Sequence, residues 1–172
     1  MGHDAVEIDF VMPWVDGSDP AWREEFLKYR ALQAPQGEPA CDTGMAAGAV
    51  DASEERYRDW DTLRYWFRGV ERFAPWVNRI HFITWGHLPA WLDTAHPKLH
   101  VVRHADYIPS PYLPTFNSCP IELNMHRIEG LAEHFVYFND DTFLCRPVGP
   151  ERFFLNGLPR DAARLAGIPA ER

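Results

Sequence analysis

The stretch that most constrains this chain is Phe135-Val136-Tyr137-Phe138-Asn139-Asp140-Asp141. Four apolar residues run without a break and stop at two adjacent carboxylates. An uninterrupted aromatic and β-branched run reads as a strand covered on both faces, which belongs in a parallel sheet. Ligands of open α/β sheets bind just beyond the carboxyl ends of the strands, and Asp140 and Asp141 fall there. Two like charges at the mouth of an apolar core repel each other and are desolvated. A divalent cation or a pair of basic groups relieves both. The plainer alternative is a turn cap beside a solvated carboxylate.

A second acidic loop follows another apolar run. Ile8-Asp9-Phe10-Val11-Met12-Pro13-Trp14 reads as the first strand and leads into Val15-Asp16-Gly17-Ser18-Asp19-Pro20. Gly17 permits a tight turn or a close ligand approach. Asp19 and Pro20 predict an N-cap and first helical position for a helix over residues 21–30. A helix N-terminus favours anions such as diphosphate, so the two acidic loops are expected to flank one site. Turn formation by Asp16 and capping by Asp19 are the competing explanation.

The segments between these loops set the fold. Helical spacing of Leu63, Trp66, Phe67, Val70 and Phe73 predicts a helix over 58–73, with Asp59 or Asp61 as its cap. Arg64 and Arg68, four apart, share one flank, either as solvated cations or, for Arg64, as a phosphate ligand. Residues 79–86 and 99–103 read as strands. A helix over 120–129, capped by Ser118, places Glu122 and His126 on one face. Strand, helix, strand, turn and strand predict an α/β fold. The expected form is a Rossmann-like, mostly parallel sheet with helices on both faces, in one domain. The core is placed at 8–155, between tails at 1–7 and 156–172. The Ala-, Gly- and Pro-rich segment 31–51 reads as a flexible insertion.

Composition excludes several classes. Hydrophobic residues make up 46% of the 172, a globular fraction. A formal net charge of −8 argues against a nucleic-acid partner, which needs a basic face. The three cysteines are odd in number and lack CxxC spacing, so neither a disulfide framework nor a zinc site is expected. No apolar run approaches the ~20 residues of a membrane span, and residues 1–4 do not resemble a signal peptide. The expected location is cytoplasmic, with peripheral contact to the inner membrane face or a capsule-enzyme partner left open.

These stretches together resemble the Stealth family of sugar-phosphate transferases. That family includes bacterial capsule hexose-1-phosphate transferases and the animal enzyme that starts the mannose-6-phosphate tag. The resemblance runs through the block at residues 8–19, then Arg58-Asp59, Leu63-Arg64-Tyr65 and Ala74-Pro75-Trp76-Val77. It continues through Leu88-Pro89-Ala90-Trp91-Leu92, His96-Pro97 and Leu113-Pro114-Thr115-Phe116-Asn117-Ser118. It ends with Ile121-Glu122, His126-Arg127-Ile128-Glu129-Gly130-Leu131 and Asn139-Asp140-Asp141.

The resemblance implies transfer of a sugar together with its proximal phosphate from a UDP-hexose or UDP-N-acetylhexosamine to an acceptor hydroxyl. The product is a phosphodiester in capsular or other cell-surface polysaccharide, and the nucleoside monophosphate is released. It implies Asp16, His126 and Asp141 as catalytic groups and Gly17, Asp19, Arg64, Asn117, Glu122 and Asn139 around the substrate. Mg²⁺ is expected at Asp140 and Asp141. Two further family blocks, which bring basic and histidine residues, are not visible before Arg172. The chain therefore reads as a truncated member with little activity of its own. A metal-dependent glycosyltransferase and a non-catalytic nucleotide-sugar-binding module are the competing expectations.

Overall fold

The computed structural model describes residues 6–33 and 57–161. Its centre is a four-stranded sheet built from β1 (Ile8–Pro13), β2 (Ile80–Thr84), β3 (Leu99–Arg103) and β4 (His134–Tyr137), in the order β3-β2-β1-β4. All three pairings are parallel, so the expected α/β fold and parallel sheet are observed. β1 is sandwiched between β2 and β4 and is buried from Ile8 to Met12. β3 and β4 form the two edges, and the residues of β4 are half-buried.

Alternation along β1 divides the core. Phe10 and Met12 turn to one face, where α2 (Leu63–Phe73) lays its buried Leu63, Trp66 and Val70 against Phe82 and Phe138. Val11 turns to the other and packs with Ile83, Val102, Tyr107, Ile108, Met125 and Ile128. Tyr107 and Met125 reach that second face from α3 (His104–Tyr107) and from a short helical turn at Met125–Arg127, and Ile108 and Ile128 follow directly after them. Each fully buried aromatic or aliphatic side chain stabilises by about 1.5–3 kcal/mol before entropy is counted, so both faces hold the sheet.

Several local expectations are corrected. α1 (Pro20–Gln33) continues through residues 31–33; the remainder of the insertion expected at 31–51 lies outside the described residues. α2 begins at Leu63, and its N-cap Thr62 makes no side-chain cap bond. Asp59 Oδ1 instead accepts from the Asp61 N–H at 3.0 Å, one turn ahead of the helix. The helix expected over 120–129 is two pieces. α4 (Ser118–Leu123) is capped by Asn117, whose side chain accepts from the Cys119 N–H at 3.0 Å. It stops where Asn124 Nδ2 donates back to the Pro120 carbonyl at 2.8 Å. The Met125–Arg127 turn follows, so the four-residue spacing of Glu122 and His126 does not lie on one continuous helix. After β4, β5 (Phe154–Leu155) and β6 (Leu158–Pro159) form an antiparallel hairpin, so regular structure extends past residue 155.

The amino half of the sheet holds a buried polar knot. Asp9 and His81 are both 0% exposed. Asp9 Oδ1 accepts from Asn78 Nδ2 at 2.8 Å, and Oδ2 accepts from His81 Nε2 at 2.9 Å and from the Ala132 N–H at 2.8 Å. With its proton on Nε2, neutral His81 offers Nδ1 as an acceptor, and His100 Nδ1 lies 3.0 Å from it. Every strand of the sheet, or the turn leading into it, therefore contacts this one carboxylate or its histidine partners.

Candidate active site

Because the four strands are parallel, their carboxyl ends open at one rim. The loop after β1 and the loop after β4 leave from adjacent strands there, since Val11 pairs with Tyr137. Asp16, Gly17 and Asp19 thus share a rim with Asn139, Asp140 and Asp141. The exits of β2, with Trp85 and His87, and of β3, with His104, lie along the same rim.

The β1 loop is held tightly. Ser18 donates to Asp16 Oδ1 from its backbone N–H at 2.9 Å and from Oγ at 2.6 Å. The Gly17 N–H donates to the Tyr57 carbonyl at 2.7 Å. A Cβ on residue 17 would lie 2.7 Å from both the Tyr57 Cβ and its carbonyl oxygen, so only glycine fits this approach. Asp19 Oδ1 accepts from the Trp22 N–H at 2.8 Å and caps α1, as its sequence position predicts. Behind the loop, Trp22, Phe26, Tyr57 and Phe116 form an aromatic cluster.

Two cavities open beside this cluster. One, of about 230 Å³, runs from Asp16, Gly17 and Ser18 to Asp59 and includes Arg23, Arg30 and Arg58 on its walls. These three guanidinium groups were not singled out by spacing, because the fold alone gathers them from α1 and the segment before α2. The other, of about 170 Å³, lies between Trp14, Trp22, Tyr57, His104, Tyr137 and Asp140. This second cavity has aromatic walls and the Asp140 carboxylate at one end.

The electrostatics of the rim are strained by like charge. Desolvation, then the Asp141 charge and more weakly that of Asp59, hold the Asp140 carboxyl above the usual carboxylate range. Thr142 Oγ1 donates to Asp141 Oδ1 at 3.3 Å. The Tyr137 hydroxyl lies 2.8 Å from Asn139 Oδ1 and 3.1 Å from Glu122 Oε1. Burial and the Glu122 charge push its ionisation upward, so it stays a donor. Burial lowers the His104 ring to about 4, with a smaller contribution from His87. His104 is therefore a neutral imidazole on the cavity wall at neutral pH.

Other expected site residues lie elsewhere. Arg64 pairs with Asp61 at 3.3 Å and lies over the Trp91 ring at 5.4 Å. It lines a separate groove of about 560 Å³ between α2 and residues 91–99, not either rim cavity. His126 is exposed and lines none of these cavities; its Nδ1 lies 3.0 Å from the Leu123 carbonyl. Asn117 is occupied as the α4 cap. Among the described residues no group of three or more His, Cys, Asp or Glu side chains is arranged to hold a metal ion. Magnesium commonly takes one or two carboxylates and completes its shell with phosphate and water. The Asp140–Asp141 pair fits as part of such a shell, not as a closed cage.

A parallel sheet whose adjacent strands end in acidic loops defines an α/β protein of the kind that handles charged ligands at a strand rim. Family comparison gives this class a name. Residues 6–32 match Stealth protein CR1, conserved region 1, and residues 56–161 match Stealth protein CR2, conserved region 2. The chain belongs to the Stealth family. It is 54% identical over 153 residues to the capsular polysaccharide phosphotransferase WcwK of Streptococcus pneumoniae, covering 89% of this chain and 43% of that protein. It is 46% identical over 173 residues to the receptor polysaccharide phosphotransferase WefC of Streptococcus oralis, covering 96% and 47%. An exopolysaccharide phosphotransferase of Streptomyces coelicolor is 48% identical over 164 residues, covering 94% and 26%. The chain thus spans about half or less of the length of these three curated relatives. Among the described residues, no helix is long and apolar enough to cross a membrane.

Proposed function

We propose that this chain carries the donor-handling part of a sugar-phosphate transferase. The reaction moves a hexose- or N-acetylhexosamine-1-phosphate from a UDP-sugar to an acceptor hydroxyl during capsular or exopolysaccharide synthesis. One observation carries the reading. The Asp16 loop and the Asp140–Asp141 pair leave neighbouring parallel strands at one rim, beside an aromatic-walled cavity. The polysaccharide phosphotransferase names of the relatives support it.

In this reaction the acceptor oxygen forms a bond to the sugar-bearing phosphorus, the diphosphate P–O bond breaks, and UMP leaves with the bridging oxygen. The acceptor hydroxyl proton must go to a base. Asp16, or Asp141 where it is not bound to metal, is the candidate to receive it. Asp16 faces the donor from the adjacent loop. Mg²⁺ held by Asp140 and Asp141 would neutralise charge on the diphosphate. Phosphoryl transfer is mainly positioning and charge neutralisation, and Arg23, Arg30 and Arg58 supply cations near Asp16.

Product identity tests the proposal. Incubation of the full-length protein containing this chain with a UDP-sugar, Mg²⁺ and polysaccharide acceptor should release UMP. Release of UDP would identify glycosyl transfer instead. Binding of the UDP-sugar without turnover by this chain alone, measured by calorimetry, would identify a binding module.

A further inference from the structure

The loop that carries Asp16 is tied to the exit of β2 by a single ring. The Asp16 backbone N–H donates to His87 Nε2 at 2.9 Å. A ring nitrogen that accepts from a backbone N–H does not itself hold a proton, so His87 here is the neutral Nδ1–H tautomer. Its Nδ1 is buried and has no hydrogen-bond partner among the described residues. The ring is held edge-on to Trp14 at 5.2 Å and lies 6.0 Å from Trp85. The ionisable groups that face it are Asp16 and Asp19 from the β1 loop and His104 from α3. Burial lowers its proton affinity more than the two carboxylates raise it, which keeps Nε2 available as an acceptor.

The other bonds of the loop do different work. Both Ser18 contacts to Asp16 Oδ1 are internal and shape the turn without attaching it to the sheet. Two bonds that do attach it run from the Gly17 N–H to the Tyr57 carbonyl and from the Asp16 N–H to His87. Of these two, the second depends on a side chain, and it acts on the backbone of the residue whose carboxylate faces the rim.

We propose that His87 is a positioning residue: by accepting the Asp16 N–H it fixes the backbone from which the Asp16 carboxylate is presented to the phosphates of the donor. The donor clause rests on the function proposed above, whereas the fixing of the loop does not. Gln places an acceptor oxygen at a similar reach and should preserve the arrangement. Leu keeps the bulk and removes the acceptor.

The experiment uses the whole 172-residue chain, isotopically labelled, as native protein, His87→Gln and His87→Leu. In His87→Leu the Asp16 amide should exchange with solvent about tenfold faster, the loss expected for one hydrogen bond, while amides of β1 and β2 keep their protection. In His87→Gln the Asp16 amide should stay within about threefold of native. The native His87 ¹⁵N spectrum should show a protonated Nδ1 and an unprotonated Nε2. Calorimetry with UDP-N-acetylglucosamine and Mg²⁺ should show affinity weakened in His87→Leu and restored in His87→Gln. An Asp16 amide as slow in His87→Leu as in native protein overturns the inference, as does a native spectrum with Nε2–H. If His87→Leu fails to fold, the spectrum and His87→Gln still decide it. Absence of donor binding to native protein overturns the functional reading for this chain, while the amide result still decides the role of His87.

Discussion

The two ends of this one sheet treat acidic residues in opposite ways. At the amino half, Asp9 is fully buried and accepts three hydrogen bonds from Asn78, His81 and the Ala132 backbone. At the carboxyl rim, Asp140 and Asp141 are exposed and stand side by side, and the Asp140 carboxyl is held above its ordinary range by desolvation and by its neighbour. The first arrangement satisfies a charge so that it can hold strands together. The second leaves charge in excess, which a ligand can relieve. A carboxylate in the amino-half setting stabilises the fold, and one at the rim is available for chemistry.

The largest effect should come from Asp9→Leu, which leaves Asn78 Nδ2, His81 Nε2 and the Ala132 N–H buried without an acceptor. Each buried donor left without its acceptor typically costs about 1–3 kcal/mol, and three are stranded together, readable as a fall in the urea midpoint. A change below about 1 kcal/mol would erase the distinction between the two ends.

Next in size is a pH effect located at His104. Its folded value is lowered from 6.5 to about 4 by burial, so the unfolded chain binds the proton more readily between those values. The contribution of His104 to stability is therefore complete above about 6.5, declines as the pH falls toward about 4, and then levels. At ~1.4 kcal/mol per pH unit the loss is of order 3 kcal/mol. Urea titrations of native protein and His104→Gln at pH 7 and pH 4.5 check it; the variant should lose less. His81 is also lowered by burial and adds a slope of the same sign.

Gly17→Ala should be smaller in stability and sharper in function. The new methyl meets the Tyr57 backbone, a clash of the kind that costs about 1–3 kcal/mol, and it displaces the Asp16 loop. Donor affinity measured by calorimetry should fall while the β1 amides stay protected.

The smallest stability change is expected for Asp140→Asn. Removing one of two repelling charges should leave the thermal midpoint unchanged or slightly raised, within about 1 kcal/mol, yet abolish sugar-phosphate transfer in the full-length protein. A large loss of stability in this variant would mean that the rim is built like the amino half.

Much of this contrast was legible in the sequence. The apolar run ending at Asp140-Asp141 marks its own strand and rim position, but β4 is a half-buried edge strand and not the strand buried on both faces that continuous hydrophobicity predicts. Asp19-Pro20 marked the α1 start through a local capping rule. The legibility failed where partners are distant. Asn117, expected at the substrate, also serves as the α4 cap, one residue ahead of the expected Ser118. Only the fold shows that Arg64 pairs with Asp61, lies over Trp91 and lines neither rim cavity. His87 had no motif of its own, since its partner is a backbone amide 71 residues away. Asp9 sat unremarked inside a hydrophobic strand, although a charged residue among Ile8, Phe10 and Val11 is the kind of exception that demands a buried partner.

The Asp9 knot also bears on how this sequence can drift. Asp9, Asn78 and His81 form one unit of inheritance, since losing the acceptor strands both side-chain donors along with the Ala132 N–H, and losing a donor weakens the case for the acceptor. A descendant with an apolar residue at position 9 should therefore carry apolar replacements at 78 and 81 as well, whereas the rim acids are free to change singly wherever the chemistry has been abandoned.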